Sequence, residues 1–207
     1  MPAIASINLD NRSVRRILRA ARKSFGRYGY QGTSLNRIAK EAQVSKSLLH
    51  YHFDSKEHLF LEGQLQLFRD ILQRVRQFSG GPGPSAHQLH AALEEVMVAL
   101  EQDLDQMLVL LELHSVAESV PGMRKHLDEF MADVEGLIVE GLRNILGPAA
   151  DALAFPPERV ARMLRTIFHG LVVEMALASN RTTRTRVRET FDDVRQLFLA
   201  VMTPHMV

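Results

Sequence analysis

The side chains best suited to chemistry are concentrated at positions 45–51, which read Ser-Lys-Ser-Leu-Leu-His-Tyr. If a helix starts after Ser45, it turns Leu49 and Phe53 toward a core. It then exposes five side chains: Lys46, Ser47, Leu48, His50 and Tyr51. A lysine can approach a guanine edge or a phosphate oxygen, and a leucine offers apolar contact to a thymine methyl group. This pattern is suited to contact with duplex DNA.

Two short helices joined by a three-residue turn are predicted to present this segment. Thr33 or Ser34 caps a helix that runs through about Ala42, with Leu35, Ile38 and Ala39 facing inward. Residues 43–45 are too few for anything but a turn, and Ser45 can cap a second helix through about Phe53. The spacing therefore predicts a helix-turn-helix.

Longer helices flank this motif on both sides. Apolar residues from Val14 to Phe25 recur at helical spacing, and Gly29 supplies a residue that ends the helix. Ser55 can cap a fourth helix through about Phe78, which would span roughly 36 Å. The glycine- and proline-rich stretch 79–84 breaks it.

Five further apolar stripes with helical period follow this break, and no stretch alternates with the period of a strand. We therefore expect an all-α fold of about nine helices. Residues 1–54 would form a helix-turn-helix domain, and the fourth helix would join it to a C-terminal helical domain over residues 55–207.

Charge is distributed unevenly along the chain. Residues 1–53 hold ten Lys and Arg against two acids, a net charge of +8, whereas the remaining residues hold fifteen against twenty-two, or −7. A basic N-terminal part on an acidic remainder is expected if only that part meets a polyanion; chance clustering of solvated charges is the alternative.

Several functional classes find no support in the sequence. There is no cysteine, so disulfides and thiolate metal sites are excluded. No phosphate-binding loop or nucleophile elbow is present, so we expect no enzyme and no cofactor. The first eleven residues lack the features of a secretion signal, and we expect a cytoplasmic protein without membrane spans.

The C-terminal helices carry features of a ligand cavity. Eight of the nine methionines lie after position 90, and methionine suits a cavity for apolar ligands, although ordinary core is the alternative. The candidate ligand residues are Met97, Met107, Leu111, His114, Phe168 and Val172. Glu112, His114, His169 and Glu174 could orient a ligand or make interhelical hydrogen bonds. His87, His90 and Glu94 share one helix face, but we expect solvated side chains there rather than a metal site.

The helix from Val160 to Leu177 is apolar around most of its circumference. This pattern predicts contact with a second copy of the chain, and burial within one monomer is the alternative. Candidate interface residues are Leu164, Leu171, Met175, Phe191, Val194, Leu197 and Phe198.

The N-terminal part resembles the DNA-binding domain of the TetR family of bacterial transcriptional regulators. The matching residues run in order over about 45 positions: Ile17-Leu18, Ala20-Ala21, Phe25, Gly29-Tyr30, Thr33-Ser34, Ile38-Ala39, Val44-Ser45, Tyr51-His52-Phe53, Ser55-Lys56-Glu57 and Leu59. Gln43 departs from the usual glycine and must adopt a left-handed conformation, at about 1 kcal/mol, or shift the turn. Ser47, Leu48 and His50 also depart from the usual residues, so the operator sequence cannot be inferred.

The resemblance implies a homodimeric repressor that binds a pseudo-palindromic DNA operator and releases it on binding a small apolar or amphipathic effector. A DNA-bound architectural protein without an effector is the alternative. The predicted DNA-contacting residues are Thr33, Ser34, Arg37, Ser45, Lys46, Ser47, Leu48, His50, Tyr51 and Lys56. Tyr51 could instead pack against Tyr28 or Tyr30.

Overall fold

A computed structural model describes residues 11–78, 86–117 and 122–202 of the 207-residue chain. Within these ranges the secondary structure is helical, without a strand, which confirms the all-α fold. The nine α-helices are α1 (Arg12–Tyr28), α2 (Leu35–Glu41), α3 (Lys46–His52), α4 (Lys56–Val75), α5 (Ala86–Gln102), α6 (Leu104–Val116), α7 (Met123–Leu146), α8 (Pro157–Leu177) and α9 (Arg181–Met202).

Two short 3-10 helices, Arg76–Phe78 and Gly147–Ala152, follow α4 and α7. The fourth helix, predicted as one element through about Phe78, therefore ends in a tighter last turn. The predicted break at 79–84 and the N-terminal segment before residue 11 lie outside the described residues. None of the described helices is long and apolar enough to cross a membrane.

Side-chain caps fix where the N-terminal helices begin. Asn11 accepts hydrogen bonds from the backbone N–H groups of Ser13 and Val14 at the start of α1. The Oγ atoms of Ser34, Ser45 and Ser55 accept from the N–H three residues on, at 3.3, 3.1 and 3.0 Å. These bonds satisfy N–H groups that a helix start leaves without partners. The caps at Ser45 and Ser55 confirm the predicted helix starts, and of the two caps considered for α2 the structure has Ser34 rather than Thr33.

The chain forms two compact units. The head unit comprises the described residues of Met1–Gln66 and Leu108–Asp128, and the body unit comprises those of Leu67–Met107 and Glu129–Val207. The expected boundary at 54/55 falls before α4, whereas the division into compact units lies within this helix. The reason is that Leu59 and Phe60, on the first turns of α4, are at most 1% exposed in the head core.

Three aromatic rings form the centre of the head core. Phe60 packs edge-on against Phe25 at 5.0 Å and against Tyr30 at 5.6 Å between ring centroids, and Phe25 and Tyr30 stack at 6.0 Å. Ile17, Ile38, Leu49 and Phe53 are fully buried around α1, α2 and α3. The helix-turn-helix is therefore held from behind by a packed apolar core.

Candidate nucleic-acid interface and ligand cavity

Helix α3 presents the predicted face to solvent. Lys46, Ser47 and His50 are exposed, and Tyr51 retains 81% of its accessible surface. Leu48 is half-buried, and Leu49 points into the core. The alternative that Tyr51 packs against Tyr28 or Tyr30 is wrong, because a packed ring could not be so exposed. Cationic, hydroxyl and phenol groups therefore project from one short helix.

The serine caps at the starts of α2 and α3 combine two roles. Ser34 and Ser45 are exposed, yet each hydroxyl already accepts a backbone hydrogen bond. The Ser45 Oγ also lies 3.1 Å from the Ser47 Oγ. A serine hydroxyl that accepts a cap bond still carries a proton to donate. Ser34 can therefore donate to an approaching phosphate, and Ser45 can do so when Ser47 is the donor of the hydrogen bond between them.

Thr33 was predicted as a phosphate contact, and the structure places its side chain inside the head unit instead. It is 3% exposed, and its hydroxyl donates to the carbonyl oxygens of Ser24 and Gly29, at 3.1 and 2.8 Å. Because the hydroxyl has one proton and it is directed inward, the side chain cannot donate to DNA. Thr33 ties the end of α1 to the start of α2.

Lys56, also predicted as a phosphate contact, is half-buried. Its Nζ donates to the carbonyl oxygen of Thr33 at 3.0 Å and lies 4.3 Å from the centroid of the Tyr30 ring. Burial lowers the pKa of Lys56, against the opposing pull of Glu57 and Glu112. The ammonium therefore braces the turn before α2.

Arg37 lies on the exposed side of α2 with its guanidinium 4.1 Å from the centroid of the Tyr28 ring. Its Nη1 donates to the carbonyl oxygen of Gly32 at 3.3 Å. A cation stacked on an aromatic face keeps its edge donors available. These contacts hold the Arg37 guanidinium at the surface of the head unit, and its contact with a phosphate stays a prediction.

The turn between α2 and α3 contains a residue pair that the sequence analysis did not single out. Gln43 has φ of 52°, which confirms the left-handed alternative. The Arg16 Nη2 donates to both the carbonyl oxygen and the side-chain Oε1 of Gln43, at 3.1 and 3.2 Å. Arg16 therefore stabilises the unfavourable backbone of Gln43 immediately before the cap of α3. The spacing of residues in α1 does not distinguish Arg16 from the other arginines of this helix, so the pair could not be predicted from the sequence.

A second polar cluster joins Tyr30 to the start of α4. The Tyr30 hydroxyl donates to Glu57, and burial together with this carboxylate raises the pKa of Tyr30. Burial alone would raise the pKa of Glu57, but hydrogen bonds from Tyr30, the backbone and Ser55, with the Lys56 charge, lower it. Glu57 therefore holds a charge within the half-buried start of α4.

Glu112 of α6 accepts hydrogen bonds in the head unit. Its carboxylate oxygens accept from the backbone N–H groups of Tyr30 and Gln31, at 3.0 and 3.5 Å. Gly29, with φ of +69°, leaves room for it, because a Cβ there would lie 3.0 Å from a Glu112 oxygen. Glu112 was expected to orient a ligand or to make an interhelical hydrogen bond; its carboxylate instead bonds to the turn between α1 and α2.

The body unit contains a cavity of about 120 Å³. The side chains around it are aliphatic, aromatic or thioether, and glycine completes the lining. They come from α4 through α9: Phe68, Ile71, Leu72, Val75, Leu89, Ala92, Leu93, Val96, Leu100, Met107, Val134, Leu137, Ile138, Gly141, Leu142, Ile145, Leu164, Phe168 and Phe198. The lining contains no charged or hydrogen-bonding side chain.

Only part of the predicted ligand set lines this cavity. Met107 and Phe168 do, but Met97, Val172 and Leu111 do not. Met97 and Val172 are buried elsewhere in the core, at 1% and 3% exposure. The side chain of His114 lies outside the described residues. Helical period identifies the buried face of a helix, but not which buried residues border a void.

The polar residues considered as ligand partners lie away from the cavity lining. The His169 Nδ1 lies 3.5 Å from the Arg165 Nη1, and the exposed Glu174 lines a separate surface depression between α8 and α9. Glu94 pairs with Arg188 and with Arg195, the latter at 2.7 Å. Among the described residues, no group of His, Asp and Glu could hold a metal ion.

The candidate dimer residues divide into inward and outward sets. Leu164, Leu171 and Phe191 are 2–5% exposed within their own chain, so their prediction as interface residues is wrong. They lie on the sides of α8 and α9 that pack into the body core. Met175, Val194 and Phe198 are half-buried, and Leu197 is 68% exposed. Three apolar residues of α8 that were not predicted are also exposed: Met163, Val173 and Leu177.

A capped helix-turn-helix with an exposed cationic second helix, followed by a helical body, defines the class of helix-turn-helix DNA-binding proteins. Comparison with known families agrees. The model described as bacterial regulatory proteins, tetR family, matches residues 17–62, and the model described as BetI-type transcriptional repressor, C-terminal, matches residues 85–199. The chain belongs to the TetR family and is a DNA-binding transcriptional regulator.

Individual relatives support this assignment. The transcriptional repressor AcnR of Corynebacterium diphtheriae is 25% identical over 93% of this chain and 96% of its own length. The regulator RutR of Escherichia coli is 33% identical over 63% of this chain and 59% of its own. A putative TetR-family regulator from Mesorhizobium loti shares the fold with a TM-score of 0.63 at 23% identity, covering 92% and 96% of the two chains.

Proposed function

We propose that the protein is a ligand-responsive repressor that binds a pseudo-palindromic operator as a homodimer. The observation that carries the DNA-binding arrangement is the exposed face of α3, with Tyr51 81% exposed on a helix whose start is capped and whose opposite face is buried. A rigid helix with free polar side chains can enter a major groove without first reorganising. Lys46, Ser47, Leu48 and His50 would face base edges and phosphates beside Tyr51.

The phosphate contacts are assigned to exposed groups around α3. Ser34, Arg37 and Ser45 lie at the starts of α2 and α3, where backbone N–H groups also favour anions. Thr33 and Lys56 support this surface from behind through the hydrogen bonds described above. Because phosphate contact releases counterions, operator affinity should fall steeply as salt concentration rises.

Alanine substitution tests this docking. Lys46→Ala and Tyr51→Ala should each weaken operator binding by about 10-fold or more in a mobility-shift titration, because each removes a contact without disturbing the head core. Lys125→Ala, which removes an exposed lysine of α7, is the matched control and should bind normally. Unchanged affinity in both α3 variants would refute the docking.

The homodimer is proposed to form through the exposed apolar residues of α8 and α9. Large exposed apolar side chains on one surface are typical of protein interfaces. Leu177 and Leu197, at 70% and 68% exposure, are the strongest candidates. Leu197→Glu should shift sedimentation from dimer to monomer while helix content is retained. A dimer that survives this change would place the interface on another surface.

The effector is proposed to bind in the apolar cavity of the body unit. An architectural protein without an effector would have no need of such a void, because filling it would increase stability. A ligand that favours the conformation unable to bind the operator must weaken operator affinity by the factor by which the operator weakens ligand affinity. Mass spectrometry of small molecules that copurify with the protein would identify candidates.

A further inference from the structure

The lining of the cavity restricts the chemistry of its ligand. All nineteen bordering residues are apolar, and thirteen of them, twelve core residues and Gly141, are buried, so the walls offer almost only hydrocarbon contact. A ligand that brought a charge into this space would lose its hydration without gaining a partner. The cost of an unpaired charge in an apolar environment exceeds what contact with this lining could return.

Two half-buried carboxylates of the body unit are already engaged in ion pairs. Glu94 is paired with Arg188 and Arg195, and Glu135 with Arg165 at 3.0 Å. A charged ligand that took its counter-ion from one of these half-buried pairs would leave the other partner unmatched, which is unfavourable. The existing ion pairs thus strengthen the restriction that the lining imposes.

The volume restricts the size of the ligand. An engineered apolar cavity of about 150 Å³ lined by aliphatic and aromatic side chains stays dry and accepts benzene. At about 120 Å³, this cavity is on the same scale. Phe68, Phe168 and Phe198 contribute ring surfaces, and Met107 is flexible enough to adapt to the ligand outline.

We infer that the effector is a small uncharged hydrocarbon-like molecule, on the scale of one aromatic ring or a short alkyl chain. This inference rests on the proposal that the protein responds to a ligand, and it goes further by naming the chemical class. The ligand leaves water for a preformed apolar space, and its affinity comes from contact rather than from hydrogen bonds.

Three ring compounds of similar size distinguish this class. Binding to the full-length protein would be measured by 19F NMR with fluorobenzene, and by competition with phenol and benzoate. Fluorobenzene should bind saturably, and benzoate at neutral pH should compete at least about 100-fold more weakly, because its carboxylate would be buried without a partner. Phenol should fall between them. Absence of fluorobenzene binding, or benzoate affinity equal to it, would overturn the inference.

Variants of α5 locate the binding. Val96→Phe fills the cavity from its wall and should abolish fluorobenzene binding. Val98→Phe, the same change at a half-buried residue of α5 outside the lining, should leave it intact. Leu137→Ala enlarges the cavity and should admit naphthalene, which serves as the test if Val96→Phe fails to fold. If fluorobenzene still binds to Val96→Phe, or if Val96→Phe and Val98→Phe lose binding equally, the ligand binds elsewhere.

Failure of the inference and failure of the proposed function give different results. If a charged compound releases the operator but fluorobenzene does not bind, the protein responds to a ligand and the chemical class is wrong. If fluorobenzene binds at the cavity but operator affinity is the same with and without saturating ligand, the class of ligand is right and the proposed ligand response is wrong.

Discussion

The head unit and the body unit differ in how they fill their interiors. In the head, three rings pack at 5.0–6.0 Å, and buried or half-buried polar groups such as Thr33 and Lys56 bond to backbone carbonyls at turns. In the body, apolar side chains from six helices leave about 120 Å³ open. A surface that must match a duplex requires fixed geometry, whereas the proposed ligand site requires space. The difference shows how one family fold can divide rigidity and adaptability between its parts.

The largest expected difference between the two units comes from truncating one aromatic ring in each. Phe60→Ala should cost about 3–5 kcal/mol of unfolding free energy, because a fully buried ring leaves a new void in a packed core. Phe168→Ala should cost markedly less, because Phe168 is half-buried and already borders empty space. Urea unfolding measures both. Equal costs would show that the two interiors are packed alike.

The buried hydroxyl of Thr33 gives the next largest expected effect. Thr33→Val should lower stability by about 1–2 kcal/mol, because the carbonyl oxygens of Ser24 and Gly29 lose a donor in a buried site. Thr166→Val, where an exposed hydroxyl donates to the Arg162 carbonyl oxygen, is the control and should change stability by less than about 0.5 kcal/mol. A stable Thr33→Val protein with weakened operator binding would restore Thr33 as a direct DNA contact.

Substitutions in the turn between α2 and α3 should change the unfolding free energy of the head unit by about 1 kcal/mol. Gln43→Ala should destabilise by this amount, because alanine keeps the unfavourable φ and loses the Oε1 contact to Arg16. Gln43→Gly should recover most of the lost stability, since glycine adopts positive φ readily. In an Arg16→Ala background the cost of Gln43→Ala should shrink, as a double-mutant cycle would show. An undiminished cost would mean that Arg16 does not stabilise the turn.

The smallest expected effect is a pH dependence from His58. Burial lowers the pKa of His58 from its ordinary 6.5, with Asp54 opposing the shift and His126 adding to it. As pH falls below 6.5 the unfolded chain takes up a proton that the folded His58 resists, so stability should decrease on acidification. Urea unfolding at pH 7.5 and 5.5 should show a weaker decrease for His58→Gln. His87→Gln, at an exposed position of α5, should leave the decrease unchanged.

Local rules in the sequence predicted most of the fold. Capping residues and apolar period predicted helix starts at Thr33 or Ser34, at Ser45 and at Ser55, and the left-handed option at Gln43. These features depend on neighbours within a few residues. The exposed face of α3 followed from the same period, because Leu49 fixes which side is buried.

Features that depend on distant residues were not predictable in this way. Thr33 looked like an exposed cap, and only the tertiary fold directs its hydroxyl inward. The contacts of Glu112 with the N–H groups of Tyr30 and Gln31 join positions some eighty residues apart. Leu164 and Phe191 were assigned to the wrong face because both faces of α8 and α9 carry apolar residues. A cavity was expected in the C-terminal helices, but of its lining only Met107 and Phe168 were among the predicted ligand residues, because a void is what packing leaves unfilled.

The cavity in the body unit predicts how the protein responds to hydrostatic pressure. Unfolding under hydrostatic pressure is driven by the elimination of internal empty volume, so the open space should make the body unit sensitive to compression. A molecule occupying the space would remove part of that volume difference. The regulator should therefore withstand higher pressure with its ligand than without it.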